Sequence, residues 1–190
     1  YNLKYDKFDT ETLQDIHRKI FGQIYAWAGE FRTIQMTKPE DVLGGDTVRY
    51  AYPKEIKKEL NSTMKEIKKL KRTGDNDDDV VFRLVRIIAK IWQIHPFREG
   101  NTRSVIVFAV LLANSLGFDV EHELFKTNSN YVRNALVWCS QGIYSKYEYL
   151  ERIFFDAILH KDTEDMLTNE PVKHNKYDTI GDYKVKEYKE

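Results

Sequence analysis

Apolar side chains recur at helical spacing along most of the chain. In "DTETLQDIHRKIFGQIYAWAG", Leu13, Ile16, Ile20, Phe21 and Ile24 fall on one face, Asp9 or Thr10 is suited to cap the start, and Gly22 is the weak point. Residues 54–72, "KEIKKELNSTMKEIKKLKR", set Ile56, Leu60, Met64, Ile67 and Leu70 on a stripe and fill the rest with lysines, which predicts a helix with a solvated basic face. The acidic break "TGDNDDD" at 73–79 precedes "VVFRLVRIIAKIWQI", apolar nearly all round, so a central helix capped by one of the aspartates is expected. A calcium loop is excluded there, because Gly74 precedes the acids and no Glu follows at the required offset. Further helices are expected over 102–116, ending at Gly117, and near 129–141 and 145–160, either side of Gly142. The only strand-like stretch is "FRTIQMTKPEDVLGGDTVRYAYP", with extended runs Thr33–Met36 and Thr47–Tyr52 around Pro39 and Gly44–Gly45. It predicts a long hairpin, or flap, over 33–52. The expected architecture is all-α with a β-hairpin flap, spanning 1–160, followed by a polar, loosely packed tail at 161–190.

Composition narrows the function classes. The 190 residues suffice for one domain with a real core, and 42% are hydrophobic. Lys plus Arg balance Asp plus Glu at 30 each, so no global field favours nucleic acid, and no direct nucleic-acid partner is expected. The single cysteine, Cys139, excludes an intramolecular disulfide and reads as a small buried hydrophobe. No run approaches the ~20 apolar residues of a membrane span, since Arg83, Arg86, Lys90, His95 and Arg103 interrupt. There is no signal-peptide pattern, and the chain opens on Tyr1, as a trimmed product would. A cytoplasmic compartment is the expectation, with a secreted effector left open. His17, His122, His160 and His174 have no metal-ligand spacing, and "HELF" at 122–125 is not H-E-x-x-H. His17 reads as a satisfied structural histidine, and Trp27, Trp92 and Trp138 as core.

Chemistry concentrates in "IWQIHPFREGNTRSVIVF", residues 91–108, where a polar loop interrupts two apolar helices. Gly100 allows a turn that gathers main-chain N–H groups. The helix starting near Thr102 favours an anion at its N-terminus, and Arg103 in its first turn adds a fork of charged donors. Glu99 is a hard oxygen ligand suited to Mg2+ shared with phosphate oxygens. His95 can accept a proton near neutral pH, and Phe97 is expected to plug into the core and anchor the loop. Together these residues describe a nucleotide phosphate site beside a general base.

The loop resembles the Fic family (filamentation induced by cAMP), whose motif reads H-x-F-x-[D/E]-G-N-G-R-x-x-R. His95, Phe97, Glu99, Gly100, Asn101 and Arg103 stand in register with it. "LQDIHRKIFGQIYAWAGEFRT" is similar to the family's early helix and Trp-Ala-Gly-x-x-Arg segment, and "YVRNALVWCSQGIYSKYEYLERIFF" to its late helices, so the resemblance covers about residues 9–160. It implies a Fic-type helical bundle that transfers AMP from ATP to a Tyr, Thr or Ser hydroxyl of another protein, with release of pyrophosphate. His95 would deprotonate the target hydroxyl. Glu99 would hold Mg2+, while the Gly100–Asn101 main chain, the Asn101 side chain, Thr102 and Arg103 would bind phosphates. The 33–52 flap would dock the target by strand addition. Asn128, Tyr131 and Asn134 would lie toward the base-binding side, and the tail tyrosines Tyr177, Tyr183 and Tyr188 read as surface residues or self-modification sites.

Two positions depart from the motif. Thr102 stands where Gly is usual, a mild change whose hydroxyl adds a donor. Ile106 replaces the final Arg, which removes a phosphate contact for which Arg98 or Arg49 would have to compensate. The resemblance also implies an inhibitory [S/T]-x-x-x-E-[G/N] helix, and no segment matches: Ser62 to Glu66 is followed by Ile67. Restraint by a small antitoxin-like partner and the absence of that brake both stay open. So do two other functions, a Fic-fold transferase of UMP, phosphocholine or phosphate, and an inactive Fic-fold binding module. Retention of both His95 and Glu99 weighs against the last.

Overall fold

The computed structural model describes residues 3–160 together with Tyr177 and Ile180. Its helices, in chain order, are α1 (Thr10–Phe21), α2 (Ile56–Ile67), α3 (Asp77–Ile94), α4 (Asn101–Ser115), α5 (His122–Thr127), α6 (Ser129–Trp138) and α7 (Glu148–Leu159). Short 3-10 turns lie at Asp41–Leu43, Pro53–Glu55 and Gly142–Tyr144. The expected helices all form, and α5 is an addition that the periodicity did not reveal. Six residues are too few to establish a helical pattern.

Local chemistry accounts for the helix ends. Asp9 caps α1, its carboxylate accepting from the Thr12 N–H at 2.9 Å, and the helix stops at Phe21 before Gly22. Ile24 therefore lies outside the helical face assigned to it and is 66% exposed. The start of α3 is a correction. Asn76 is the cap residue, its Oδ1 accepting from the Thr73 N–H, while Asp77 instead pairs with Arg72 through two bonds of 2.8 and 2.9 Å. Asp77, Asp78 and Asp79 still fill the first turn, where the helix dipole favours negative charge.

Helix α3 is the axis of the molecule. It packs against α2, α4, α6 and α7, while α1 closes the open side against α2 and α4. Leu84, Val85, Ile88, Ile91 and Trp92 are essentially buried, while Phe82, Arg86 and Lys90 form an exposed stripe, so the helix is apolar over most of its circumference. Each such side chain contributes roughly 1.5–3 kcal/mol of hydrophobic stabilisation. Tyr177 and Ile180 are buried against the same core, and the Tyr177 hydroxyl donates to Asp156 on α7. Tyr177 is thus not a surface tyrosine; Tyr183 and Tyr188 fall outside the described residues. No described helix is long and apolar enough to cross a membrane.

Residues 33–52 differ from the expected hairpin. The segment closes in a single antiparallel bridge around the Asp41–Leu43 turn, between Thr47 of the second run and Pro39, beyond the end of the first. Val48 and Tyr50 are buried and Arg49 is exposed, so the alternation that suggested a strand is real. A groove of about 550 Å3 is lined by Gln35–Thr37 on one side and Thr47–Tyr52 on the other. Beyond that bridge, whose Glu40 N–H donates to Asp46 O at 2.9 Å, the described main chain of 33–37 and 49–51 makes no main-chain hydrogen bond, and the Ile34 and Ala51 carbonyls accept from Arg32 instead.

Candidate active site

The site forms where α3 hands over to α4. His95 ends α3 in the left-handed region (φ 53°, ψ 62°), its N–H donating to the Trp92 carbonyl at 3.0 Å. This cap turns the chain sharply and puts the imidazole at the loop's inner edge. Residues 96–99 run irregularly, and Gly100, also left-handed at φ 78°, starts α4. A Cβ built at Gly100 would stand 2.3 Å from the Phe21 ring, so both the backbone angle and the close approach of α1 demand glycine.

Asn101 braces the loop. Its Oδ1 accepts from the Phe97 N–H at 2.9 Å and its Nδ2 donates to the Phe97 carbonyl at 2.8 Å, in a side chain only 3% exposed. The Asn101 amide thus holds the loop's shape, with one Nδ2 proton not used in that contact. Phe97 is fully buried and stacks on His17 with ring centroids 3.9 Å apart, as its expected anchoring role requires. His17 ties the loop to α1. Its Nδ1 accepts from the Gly29 N–H at 2.9 Å, so Nε2 carries the proton and donates to the Glu99 carbonyl at 3.0 Å. Burial lowers the pKa of His17 from its ordinary 6.5, consistent with a neutral, structural ring.

A pocket of about 320 Å3 opens over this loop. His95, Glu99, Gly100, Asn101, Thr102 and Arg103 all line it, so six residues expected to share a site do share one. The N–H groups of Asn101, Thr102 and Arg103 precede the first helical bond of α4, Ser104 N–H to Gly100 O at 3.0 Å, and so have no partner within the helix. The Thr102 hydroxyl oxygen accepts from the Trp92 indole at 2.9 Å and keeps its own proton for donation. Glu99 Oε1 accepts from the Gly100 N–H at 3.1 Å. Lys38, Arg98 and Arg133 add cationic walls, which gives the pocket a clear surplus of positive charge. Arg98 leans over the Trp27 ring at 5.7 Å, whereas Arg49 lines the separate groove, so only the first of the two proposed replacement cations faces this pocket.

No group of three or more His, Cys, Asp or Glu side chains able to hold a metal occurs among the described residues. One carboxylate beside an anion pocket is nevertheless the donor set magnesium uses when phosphate oxygens and water complete its shell. Glu99 fits that requirement.

His95 is 8% exposed, and its Nδ1 is buried with no hydrogen-bond partner. Burial, reinforced by the charges of Arg32 and Lys38, pushes its pKa from 6.5 down to about 3, so the ring is neutral at pH 7. A neutral imidazole at the rim of an anion pocket can accept a proton.

Asn128 and Tyr131 do not line the pocket. The Asn128 amide donates to the Leu124 carbonyl at 2.9 Å, and the Tyr131 hydroxyl donates to the Tyr149 carbonyl at 2.9 Å with the ring packed on Tyr177. From α6, Ser129, Asn130 and Arg133 face the pocket instead. Sequence reasoning also missed Glu40, Tyr50 and Lys38. Glu40 and Arg133 form an ion pair across 93 positions, a separation at which no local pattern signals contact.

Comparison with known proteins gives the chain its family and relatives. The sequence model described as the Fic/DOC family matches residues 7–113, more than half of the chain. The protein adenylyltransferase VbhT of Bartonella schoenbuchensis is 28% identical over 115 residues, 60% of this chain and 23% of that protein. The probable protein adenylyltransferase y4lH of Sinorhizobium fredii is 31% identical over 108 residues, 56% of this chain and 53% of that protein. The chain thus spans about half or less of the curated relatives it matches. Among solved structures, the BepC protein of Bartonella tribocorum, a VirB-translocated effector with bound AMPPNP, superimposes with a TM-score of 0.66 at 22% identity, covering 83% of this chain and 77% of that one. The N-terminal Fic domain of a Bartonella quintana effector with bound ADP gives 0.63 at 22% identity, covering 80% and 74%. These structures share the helical fold.

Proposed function

The chain belongs to the Fic/DOC family, and on that premise we propose that it is a protein adenylyltransferase, moving AMP from ATP to a hydroxyl side chain of a target protein. The observation that carries this reading is the shared pocket of His95, Glu99 and the α4 N-terminus. A base, a hard carboxylate and convergent N–H donors in one cation-rich cleft are what phosphoryl-centred nucleotidyl transfer needs. The relatives named adenylyltransferases and the nucleotide-bound structural neighbours support the choice of ATP.

In this reading the target's Tyr, Thr or Ser hydroxyl approaches His95, whose imidazole takes the proton as the oxygen attacks the α-phosphorus. The bond to the β-phosphate breaks and pyrophosphate leaves. The N–H groups of Asn101, Thr102 and Arg103, with the Arg103 and Arg98 guanidinium groups, stabilise the charge that develops on phosphate oxygens. Glu99 would hold Mg2+, which supplies charge neutralisation on the phosphates when bound. Anionic phosphates beside His95 raise its proton affinity from the low value of the empty pocket.

The catalytic unit in this account is residues 1–160, with Tyr177 and Ile180 packed onto its core. The target segment adds along the flap main chain of 33–37 and 49–51, which lacks a main-chain partner and of which the Ile34 and Ala51 carbonyls are taken by Arg32. Such a flap suits a chain acting inside a cell, its own or, for a secreted effector, a host's. A second reading, transfer of another phosphate-bearing group, is favoured by one observation: Ile106 stands where the motif has its last Arg, half-buried against the core. Label passing from the α-phosphate of ATP into a protein, and lost in His95→Ala, tests the first reading against the second.

A further inference from the structure

A histidine base is usually aimed by a hydrogen bond to its second ring nitrogen. His95 has none, since its Nδ1 is buried without a partner. Two aromatic contacts set the ring instead. Tyr50 lies flat on the imidazole, with centroids 3.9 Å apart and 20° between planes, and Trp92 meets its edge at 5.6 Å and 87°. Trp92 belongs to α3, but Tyr50 sits on the flap, on a run bridged only at Thr47. Whatever holds Tyr50 therefore holds the base.

Glu40 meets that description. Its Oε1 accepts from the Tyr50 hydroxyl at 3.3 Å and from Arg133 Nη2 at 3.0 Å, while Oε2 accepts from Arg133 Nη1. The residue is itself fixed by its turn: its N–H donates to Asp46 O at 2.9 Å and its carbonyl accepts from Leu43 and Gly45. A carboxylate 1% exposed inside a polar, glycine-rich loop has no reason to be buried unless its partners require it. We infer that Glu40 is a positioning residue for His95: it holds Tyr50 against the imidazole and, through Arg133 on α6, locks the flap to the far wall of the pocket. Arg133 thereby joins the flap to the wall of the pocket that it lines. The base is then in register only while the 39–47 turn is seated on α6. The kinetic part of this inference rests on the transferase reading; the structural part does not.

The test uses the full chain labelled with 13C,15N-histidine, following the His95 Cε1–H resonance, assigned by its loss in His95→Asn. Tyr50→Leu removes the stacked ring and marks the unstacked position. Glu40→Ala is expected to move the resonance toward that position. Tyr50→Phe, which leaves the Glu40–Arg133 pair intact and so guards against a misfolded Glu40 variant, is expected to move it in the same direction. Glu40→Gln, which keeps an acceptor for Tyr50, should shift it less. In parallel, transfer from α-labelled ATP at saturating nucleotide should fall at least about tenfold in Glu40→Ala, with the half-saturating ATP concentration changed by less than about twofold, the pattern of a misaligned base. A His95 resonance that stays at the wild-type position in both Glu40→Ala and Tyr50→Phe overturns the inference. If the wild-type chain transfers no label at all, the transferase reading fails, and the resonance still decides whether Glu40 holds the ring.

Discussion

Arg32 Nε donates to the main-chain carbonyl of His95 at 2.7 Å, across 63 positions. The same guanidinium reaches Ile34 O at 2.8 Å, Ala51 O at 2.6 Å and Ile94 O at 3.4 Å, in a side chain 1% exposed. One residue thus joins the end of α3 to both rims of the groove. A planar fork is needed to serve carbonyls on three segments, and an ammonium cannot reproduce it. Arg32→Lys should therefore cost at least about 3 kcal/mol, the sum of several stranded carbonyls, read as a lower urea midpoint at unchanged slope. It should also abolish transfer in whatever fraction folds, although Arg32 touches no reacting atom.

Gly100→Ala combines two penalties, a left-handed φ of 78° and a Cβ 2.3 Å from Phe21. Each is worth about 1–3 kcal/mol. Adding Phe21→Leu should return the packing part and leave the backbone part, so the double variant should melt between the single Gly100→Ala protein and wild type. Thermal unfolding by circular dichroism checks the order.

Stability should depend on pH through His95. Its folded pKa, about 3, lies below its ordinary 6.5, so between those values the unfolded chain binds a proton that the folded one does not. The contribution is complete above about pH 6.5 and is lost progressively as the pH falls toward about 3. His17, lowered by burial, acts with the same sign. His95→Asn, a residue that tolerates the left-handed backbone, should flatten the dependence of unfolding free energy on pH between about 6.5 and 5, above the range where carboxylates titrate.

Ile106→Arg restores the missing motif cation on the helix face that carries Thr102 and Arg103. A charge-assisted phosphate contact is worth about 1.5–3 kcal/mol, so the affinity for ATP with magnesium should rise at least about tenfold by calorimetry. An unchanged affinity would mean that Lys38 and Arg98 already satisfy the terminal phosphates.

The helical architecture was legible because burial imposes a period. Leu60, Met64 and Ile67 on α2 and the largely apolar α3 announce their faces without help from the rest of the chain. The flap was half legible. The alternation of Val48, Arg49 and Tyr50 reports that one face is buried, but pairing depends on the distance to the other run, which alternation does not encode.

Within the site, the residues between His95 and Arg103 were readable because they are adjacent in sequence and their types imply a shared anion. At three of the assigned residues the side chain is engaged elsewhere. Asn101 has the chemistry of a ligand, yet both ends of its amide close on Phe97, because a buried loop must satisfy its own main chain first. Asn128 and Tyr131 have the polarity of a base pocket but use it at the α5–α6 junction and on Tyr149, while their neighbours Ser129 and Asn130 face the cleft. Glu40 and Arg133 gave no signal at all, since an acidic residue in a polar loop and an arginine on a helix are ordinary until the fold brings them together.

The central claim is that His95 and the α4 N-terminus serve transfer at the α-phosphorus. Its most direct test incubates the purified chain, or His95→Ala, with magnesium and a lysate, using ATP labelled at the α- or at the γ-phosphate in separate reactions. The account predicts protein-bound label from the α-position only, absent with His95→Ala. Label from the γ-position only, or from neither, would contradict it.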